Sequence, residues 1–116
     1  MKKRHEFLAL RDKGVKNVTK PFILQARKLV DGDVPRYGLT ASKKIGNAVR
    51  RNRARRRMRA LVRHHLAPKA RDGYHYGMIA RFDMPDAPFD MLETAFHEAI
   101  EAVHRKIDRQ YSERQD

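Results

Sequence analysis

The apolar residues Leu92, Phe96, Ala99, Ile100, Val103 and Ile107 fall at i, i+4, i+7, i+8, i+11 and i+15, the spacing of one face of a helix. They predict a final helix from about Asp90 to Ile107, with Asp90 and Glu93 spaced like a capping box. A second stripe, Ala54, Met58, Leu61, Val62 and His65, predicts a long helix opened by Gly46-Asn47 and ended near Leu66 by Pro68. Elsewhere the period shortens to two. Phe22, Leu24 and Ala26 alternate with Ile23, Gln25 and Arg27 inside an extended stretch from Val18 to Val30, and Pro21 marks an edge position or a strand start. Tyr37, Leu39 and Ala41 share a face of a strand from Arg36 to Ser42; Tyr74, Tyr76, Met78 and Ala80 share a face of another from Tyr74 to Arg81. Asp31-Gly32-Asp33 is a turn signal, and Asp-Gly is common in hairpins, so Arg36 to Ser42 reads as the returning strand. His5 to Lys13 reads as a short helix carrying Phe7, Leu8 and Leu10, stopped by Gly14, and Arg109 to Asp116 as a frayed tail. The first extended stretch is long enough for two strands. The order predicts one α+β domain over residues 1–116, helices packed on a small sheet.

Charge changes this picture. The chain holds 27 Lys and Arg against 14 Asp and Glu, a net charge of +13. From Val34 to Arg71 there are thirteen cations and no carboxylate, so the whole excess sits in one third of the sequence. Such segregation is the electrostatic footprint of a nucleic-acid binder. The absence of cysteine excludes disulfides, thiolate metal sites and cysteine nucleophiles. Met1-Lys2-Lys3-Arg4 is followed by no long apolar run, and no stretch approaches a membrane span, which predicts a cytoplasmic protein with no membrane partner.

The long helix carries the charge on a shaped surface. Opposite its apolar stripe lie Asn52, Arg56, Arg59 and Arg63, with Arg53 and Arg57 flanking on one side and Arg55 on the other. Arginine outnumbers lysine there, and its planar fork suits paired hydrogen bonds to phosphate and stacking on bases. No acid within the segment is spaced to pair with these cations. Asn47 is a good N-cap, which puts Arg50 and Arg51 in the first turn, where cations oppose the helix dipole at about 0.3–1 kcal/mol each. Free N–H groups at a helix start favour anions. Lys43, Lys44, Asn47 and Arg50 are therefore expected to frame a phosphate site, with Gly46 allowing the tight turn by positive φ or by close approach.

The run Lys43-Lys44-Ile45-Gly46-Asn47-Ala48-Val49-Arg50-Arg51-Asn52-Arg53-Ala54-Arg55-Arg56 strongly resembles the signature of the bacterial ribonuclease P protein subunit, K-K-x-G-N-A-V-x-R-N-R-x-[KR]-R. Pro35-Arg36-Tyr37-Gly38-Leu39-Thr40 and Lys3-Arg4-His5-Glu6-Phe7 extend the resemblance, which covers about residues 3 to 107. It implies a four-stranded sheet with three helices in the order α-β-β-β-α-β-α and a left-handed βαβ crossover. It also implies a protein cofactor of a ribozyme that removes the 5′ leader from precursor tRNA, the catalytic RNA and its Mg²⁺ performing the hydrolysis. By that resemblance Lys43, Lys44, Asn47, Arg50, Arg51, Asn52, Arg53, Arg55, Arg56 and Arg59 bind the catalytic RNA. Phe7, Arg11, Gln25 and Arg27 meet the leader, Arg11 and Gln25 standing where other members carry aromatics. No metal site in the protein and no further protein partner are implied.

The remaining candidates read as structural. The six histidines show no metal-ligand spacing, Asp83, Asp86 and Asp90 read as a turn and helix start, and Tyr74 and Tyr76 as sheet core or rim. No Ser-His-Asp set, paired carboxylates or Gly-rich phosphate loop is visible. The alternatives are a ribosomal or other structural RNA-binding protein, and a self-sufficient nuclease.

Overall fold

A computed structural model of the 116-residue chain describes residues 13–29 and 33–115. Four strands and two long helices follow in order: β1 (Val15–Val18), β2 (Phe22–Lys28), β3 (Arg36–Thr40), α1 (Ala48–Leu61), β4 (Tyr74–Ala80) and α2 (Phe89–Gln115). Of the three expected helices, the first lies outside the described residues except for Lys13, as do Phe7 and Arg11. The stretch from Val18 to Val30 holds one strand, β2, with Pro21 immediately before it; the second strand, β1, comes earlier and shares only Val18 with that stretch.

The sheet order is β1-β2-β4-β3. β2 pairs antiparallel with β1 and with β4, while β3 lies parallel to β4. This corrects the hairpin expectation. β3 does run back against β2, but β4 lies between them and takes the hydrogen bonds of both. A local Asp-Gly signal reports a reversal of direction and not the identity of the neighbour. Parallel neighbours need a long crossover, and α1 supplies it.

The alternation of the strands separates the two faces. Phe22, Leu24 and Ala26 from β2 and Tyr74, Tyr76, Met78 and Ala80 from β4 are buried on the face that receives the helices. All six residues of the α2 stripe, Leu92, Phe96, Ala99, Ile100, Val103 and Ile107, are buried there. The rings of Phe22 and Phe96 meet edge to face, with centroids 5.7 Å apart. Ala54, Met58 and Leu61 anchor α1 in the same core.

Two helix ends depart from expectation. α2 begins at Phe89, so Asp90 lies inside the first turn and is not its cap. Glu93 reaches sideways to His65, Oε2 to Nε2 2.7 Å, instead of back to the helix start. The helix runs on past Ile107 to Gln115, with Arg71 bonded to Asp108 at 2.7 Å and Lys106 donating to the Lys16 carbonyl at 2.6 Å. α1 ends in a π-type turn over Val62–Leu66, closed by Ala67 N–H donating to Val62 O at 2.8 Å. The extra residue in this turn rotates the chain, and Leu66 is buried while His65 is only partly so.

Candidate nucleic-acid interface

The basic segment begins in a turn held from both ends. Ser42 Oγ accepts from Lys44 N–H at 3.3 Å, and Lys43–Ile45 form one 3-10 turn. Ile45 is buried, which turns Lys43 and Lys44 outward to solvent. Gly46 follows with φ +130° and ψ −148°, a conformation essentially confined to glycine. Asn47 Oδ1 then accepts from Arg50 N–H at 3.0 Å, the expected N-cap.

Arg50 departs from the expected phosphate site. Its Nε donates to Ile45 O at 2.9 Å, one terminal nitrogen to Asp86 Oδ2 at 2.7 Å and the other to Phe82 O at 3.0 Å. Its guanidinium also lies 4.7 Å from the centre of the Phe82 ring. All three nitrogens are engaged inside the chain, so Arg50 ties the helix start to the loop after β4. Arg50 in turn holds the exposed Asp86 carboxyl below the usual carboxylate range. The cation that opposes the helix dipole is thus matched by an acid far away in sequence.

Arg57, two turns along α1, does the same at the other end of that loop. It donates to Met84 O at 2.7 Å and to Ala87 O. Burial, with help from the nearby charge of Arg53, lowers its pKa. Arg55 donates to Asn52 Oδ1 at 3.2 Å and to Ala41 O at 3.4 Å. Arg51 is half-buried, its Nε enclosed and without a hydrogen-bond partner, in keeping with a place near the apolar edge.

The residues left facing water are Lys43, Lys44, Asn52, Arg53, Arg56 and Arg59. Arg56 stands between two open depressions. One, of about 450 Å³, is lined by Val49, Asn52, Arg55, Arg56 and Arg59; the other, of about 250 Å³, by Arg53, Arg56, Arg57, Ala60 and Phe89. Guanidinium groups with free donors beside shallow grooves can take up phosphates and bases together. Arg50 and Arg57 do not add donors to this surface; they fix the scaffold beneath it.

The opposite face of the sheet carries Gln25 and Arg27. Register places Arg27, His75 and Arg36 in one row across β2, β4 and β3, and Gln25, Gly77 and Gly38 in the row two residues along. Gln25 is only 5% exposed, which its polar character did not suggest. Arg27 is partly buried and borders a cavity of about 320 Å³ with Lys13, Lys28 and Tyr111. This face and the α1 surface lie on different sides of the sheet.

The three loop carboxylates do not converge. Asp86 serves Arg50, Asp83 lies 3.7 Å from Lys20, and Asp90 sits in the first turn of α2. Among the described residues no group of three or more His, Asp or Glu could hold a metal ion. Tyr74 and Tyr76 are core, as expected. Sequence reasoning missed Phe82, Met84 and Asp86 as partners of the basic helix. The available signal was two acids interleaved with two prolines, Asp83-Met84-Pro85-Asp86-Ala87-Pro88, directly after the strand that the helix crosses over to reach.

Comparisons with known proteins agree with one another. A family model described as Ribonuclease P matches residues 1–104. The ribonuclease P protein component of Brucella suis is 36% identical over 110 residues, 88% of this chain and 77% of that one. The component of Ruegeria pomeroyi is 42% identical over 85 residues, 71% and 68%. Among solved structures, the RNase P protein of Staphylococcus aureus superposes with a TM-score of 0.68 at 26% identity, covering 92% of this chain and 93% of that one. The Thermotoga maritima protein, at 24% identity and a TM-score of 0.66 over 81% and 87%, shares the fold.

Proposed function

The chain belongs to the ribonuclease P protein family, which implies a part in tRNA 5′ processing, and on that premise we propose that it is the RNA-binding subunit of a cytoplasmic ribonuclease P. In this reading it binds the catalytic RNA through Lys43, Lys44, Arg51, Asn52, Arg53, Arg55, Arg56 and Arg59 and helps that RNA remove the leader from precursor tRNA. Hydrolysis belongs to the RNA and its Mg²⁺, and the protein supplies positive charge that offsets phosphate repulsion. The observation that carries the reading is the row Lys43, Lys44, Arg53, Arg56 and Arg59, solvent-facing and with no carboxylate partner among the described residues. Asn47 and Arg50 contribute from within, as cap and clamp of the turn.

The leader belongs to the other sheet face. Arg27 offers charge there, Gly77 and Gly38 leave that part of the face without side chains, and Gln25, expected to meet the leader, shows it only 5% of its surface. Phe7 and Arg11 complete this surface by family resemblance. Two separate RNA surfaces let one small domain hold catalytic RNA and substrate at once, with no other protein partner required. No helix among the described residues is long and apolar enough to cross a membrane.

The test is cleavage of precursor tRNA by the cognate catalytic RNA at low Mg²⁺, with and without the protein. The protein is expected to accelerate cleavage and to be inert alone. No acceleration would overturn the reading, and cleavage by the protein alone would make it a nuclease in its own right. A protein that binds the RNA without affecting cleavage would be a structural RNA-binding protein.

A further inference from the structure

Among the described residues, Phe82 is the most exposed phenylalanine or tyrosine, with 63% of its surface open. An aromatic ring left in water is unfavourable by the area it exposes, so its rigid placement asks for a partner. The loop around it is fixed. Arg50 donates to the Phe82 carbonyl and packs on the ring, Arg57 holds Met84 O and Ala87 O, and Met84 is buried. The same Arg50 guanidinium reaches Ile45 O, so Phe82 stands beside the turn that presents Lys43 and Lys44. The neighbouring acids are already engaged, Asp86 by Arg50 and Asp83 by Lys20.

We propose that Phe82 is a stacking platform for an unpaired nucleobase of the RNA held along α1, its ring backed by Arg50. This rests on the proposed RNA-binding role and deepens it. Every base has a π-face, and an aromatic ring beside a cationic track is how single-stranded segments are held without sequence readout. Arg50 on one face of the ring limits its motion, leaving the stacking surface pre-oriented. The chemistry is complementary along the site: Lys43 and Lys44 suit the phosphates and Phe82 the adjoining base. Were Phe82 only a cover for the Arg50–Asp86 pair, an aliphatic side chain of similar size would serve equally.

That difference is the test. The chain contains four tyrosines but no tryptophan, so Phe82→Trp places its only tryptophan, which can be excited selectively, at the site in the full-length protein. Titration with the cognate catalytic RNA is expected to quench it. Phe82→Leu is expected to keep the melting temperature of the parent while weakening binding roughly 5- to 100-fold, with the salt dependence of binding unchanged. Parental affinity in Phe82→Leu together with unmoved tryptophan emission would overturn the proposal. So would quenching by a single-stranded leader oligonucleotide but not by catalytic RNA. If the parent itself fails to bind the RNA, the underlying role falls, and that outcome is distinct from either.

Discussion

The side chain of Arg50 lies directly across Gly46. A Cβ built on Gly46 would stand 2.9 Å from Cδ of Arg50 and 3.1 Å from its Nε. The glycine is required twice, for its φ of +130° and for the room it leaves to the arginine that clamps the turn. Gly46→Ala is therefore expected to lose about 2–3 kcal/mol, from the backbone conformation and from the displaced guanidinium together. Thermal unfolding should show the melting temperature lower by roughly 10 °C.

Arginines one or two turns apart should separate by function. Arg50→Ala removes donors from Ile45 O, Phe82 O and Asp86 and is expected to cost about 1–3 kcal/mol of stability. Arg56→Ala removes an exposed side chain with no hydrogen bond among the described residues and is expected to leave stability within about 0.5 kcal/mol. Arg56→Ala should instead weaken RNA binding and lower the slope of log K against log salt by about 1. Equal loss of melting temperature in the two variants would contradict the division into clamp and binding surface.

Arg57→Ala should resemble Arg50→Ala and not Arg56→Ala. Its guanidinium holds the carbonyls of Met84 and Ala87, and its loss frees the loop that carries Phe82. The expected sign is a lower melting temperature and faster amide exchange across residues 82–87, with the salt slope of RNA binding unchanged. Protection in that loop identical to the parent would remove Arg57 from the clamp.

His104 makes stability depend on pH. The Tyr76 hydroxyl accepts from Arg71 N–H at 3.0 Å and lies 2.7 Å from His104 Nε2. In the tautomer whose Nε2 carries no proton, the neutral imidazole accepts the hydroxyl proton, a bond that protonation of the ring would end. Burial, then the charge of Arg71, lowers the His104 pKa from 6.5 to about 4, while burial pushes the Tyr76 hydroxyl up to about 12. Between pH 6.5 and 4 the unfolded chain binds a proton that the native chain refuses. The contribution is thus whole above pH 6.5, declines as pH falls toward 4 and levels off below, a change on the order of 3 kcal/mol. Comparing pH-dependent unfolding of the parent with His104→Gln isolates it; parallel curves would remove His104 as the cause.

Thirteen cations between Val34 and Arg71, most of them facing water, repel one another. An anion that binds only the native state adds stability by mass action. Sulfate is expected to raise the melting temperature progressively, and Arg56→Ala to diminish the gain. A melting temperature indifferent to sulfate, at constant ionic strength, would contradict the account of an unneutralised surface.

The sequence by itself determined most of the elements and the faces they bury, though not β1. The stripe from Leu92 to Ile107 and the alternation from Tyr74 to Ala80 were legible because burial on one face imposes its period on residues close together in the chain. The N-cap Asn47 was legible for the same reason, since a cap bonds three residues away. The order of Gly46, Asn47 and the arginines identified the family. Tertiary structure alone decided which charges are available. Arg50 and Arg56 are alike in composition and lie on the same helix, but Asp86, 36 residues beyond Arg50, occupies one and leaves the other to solvent. It also decided that β4 enters between β2 and β3, and that Gln25 is enclosed. Pairing, enclosure and charge neutralisation depend on what arrives from distant segments, and no local period records that arrival.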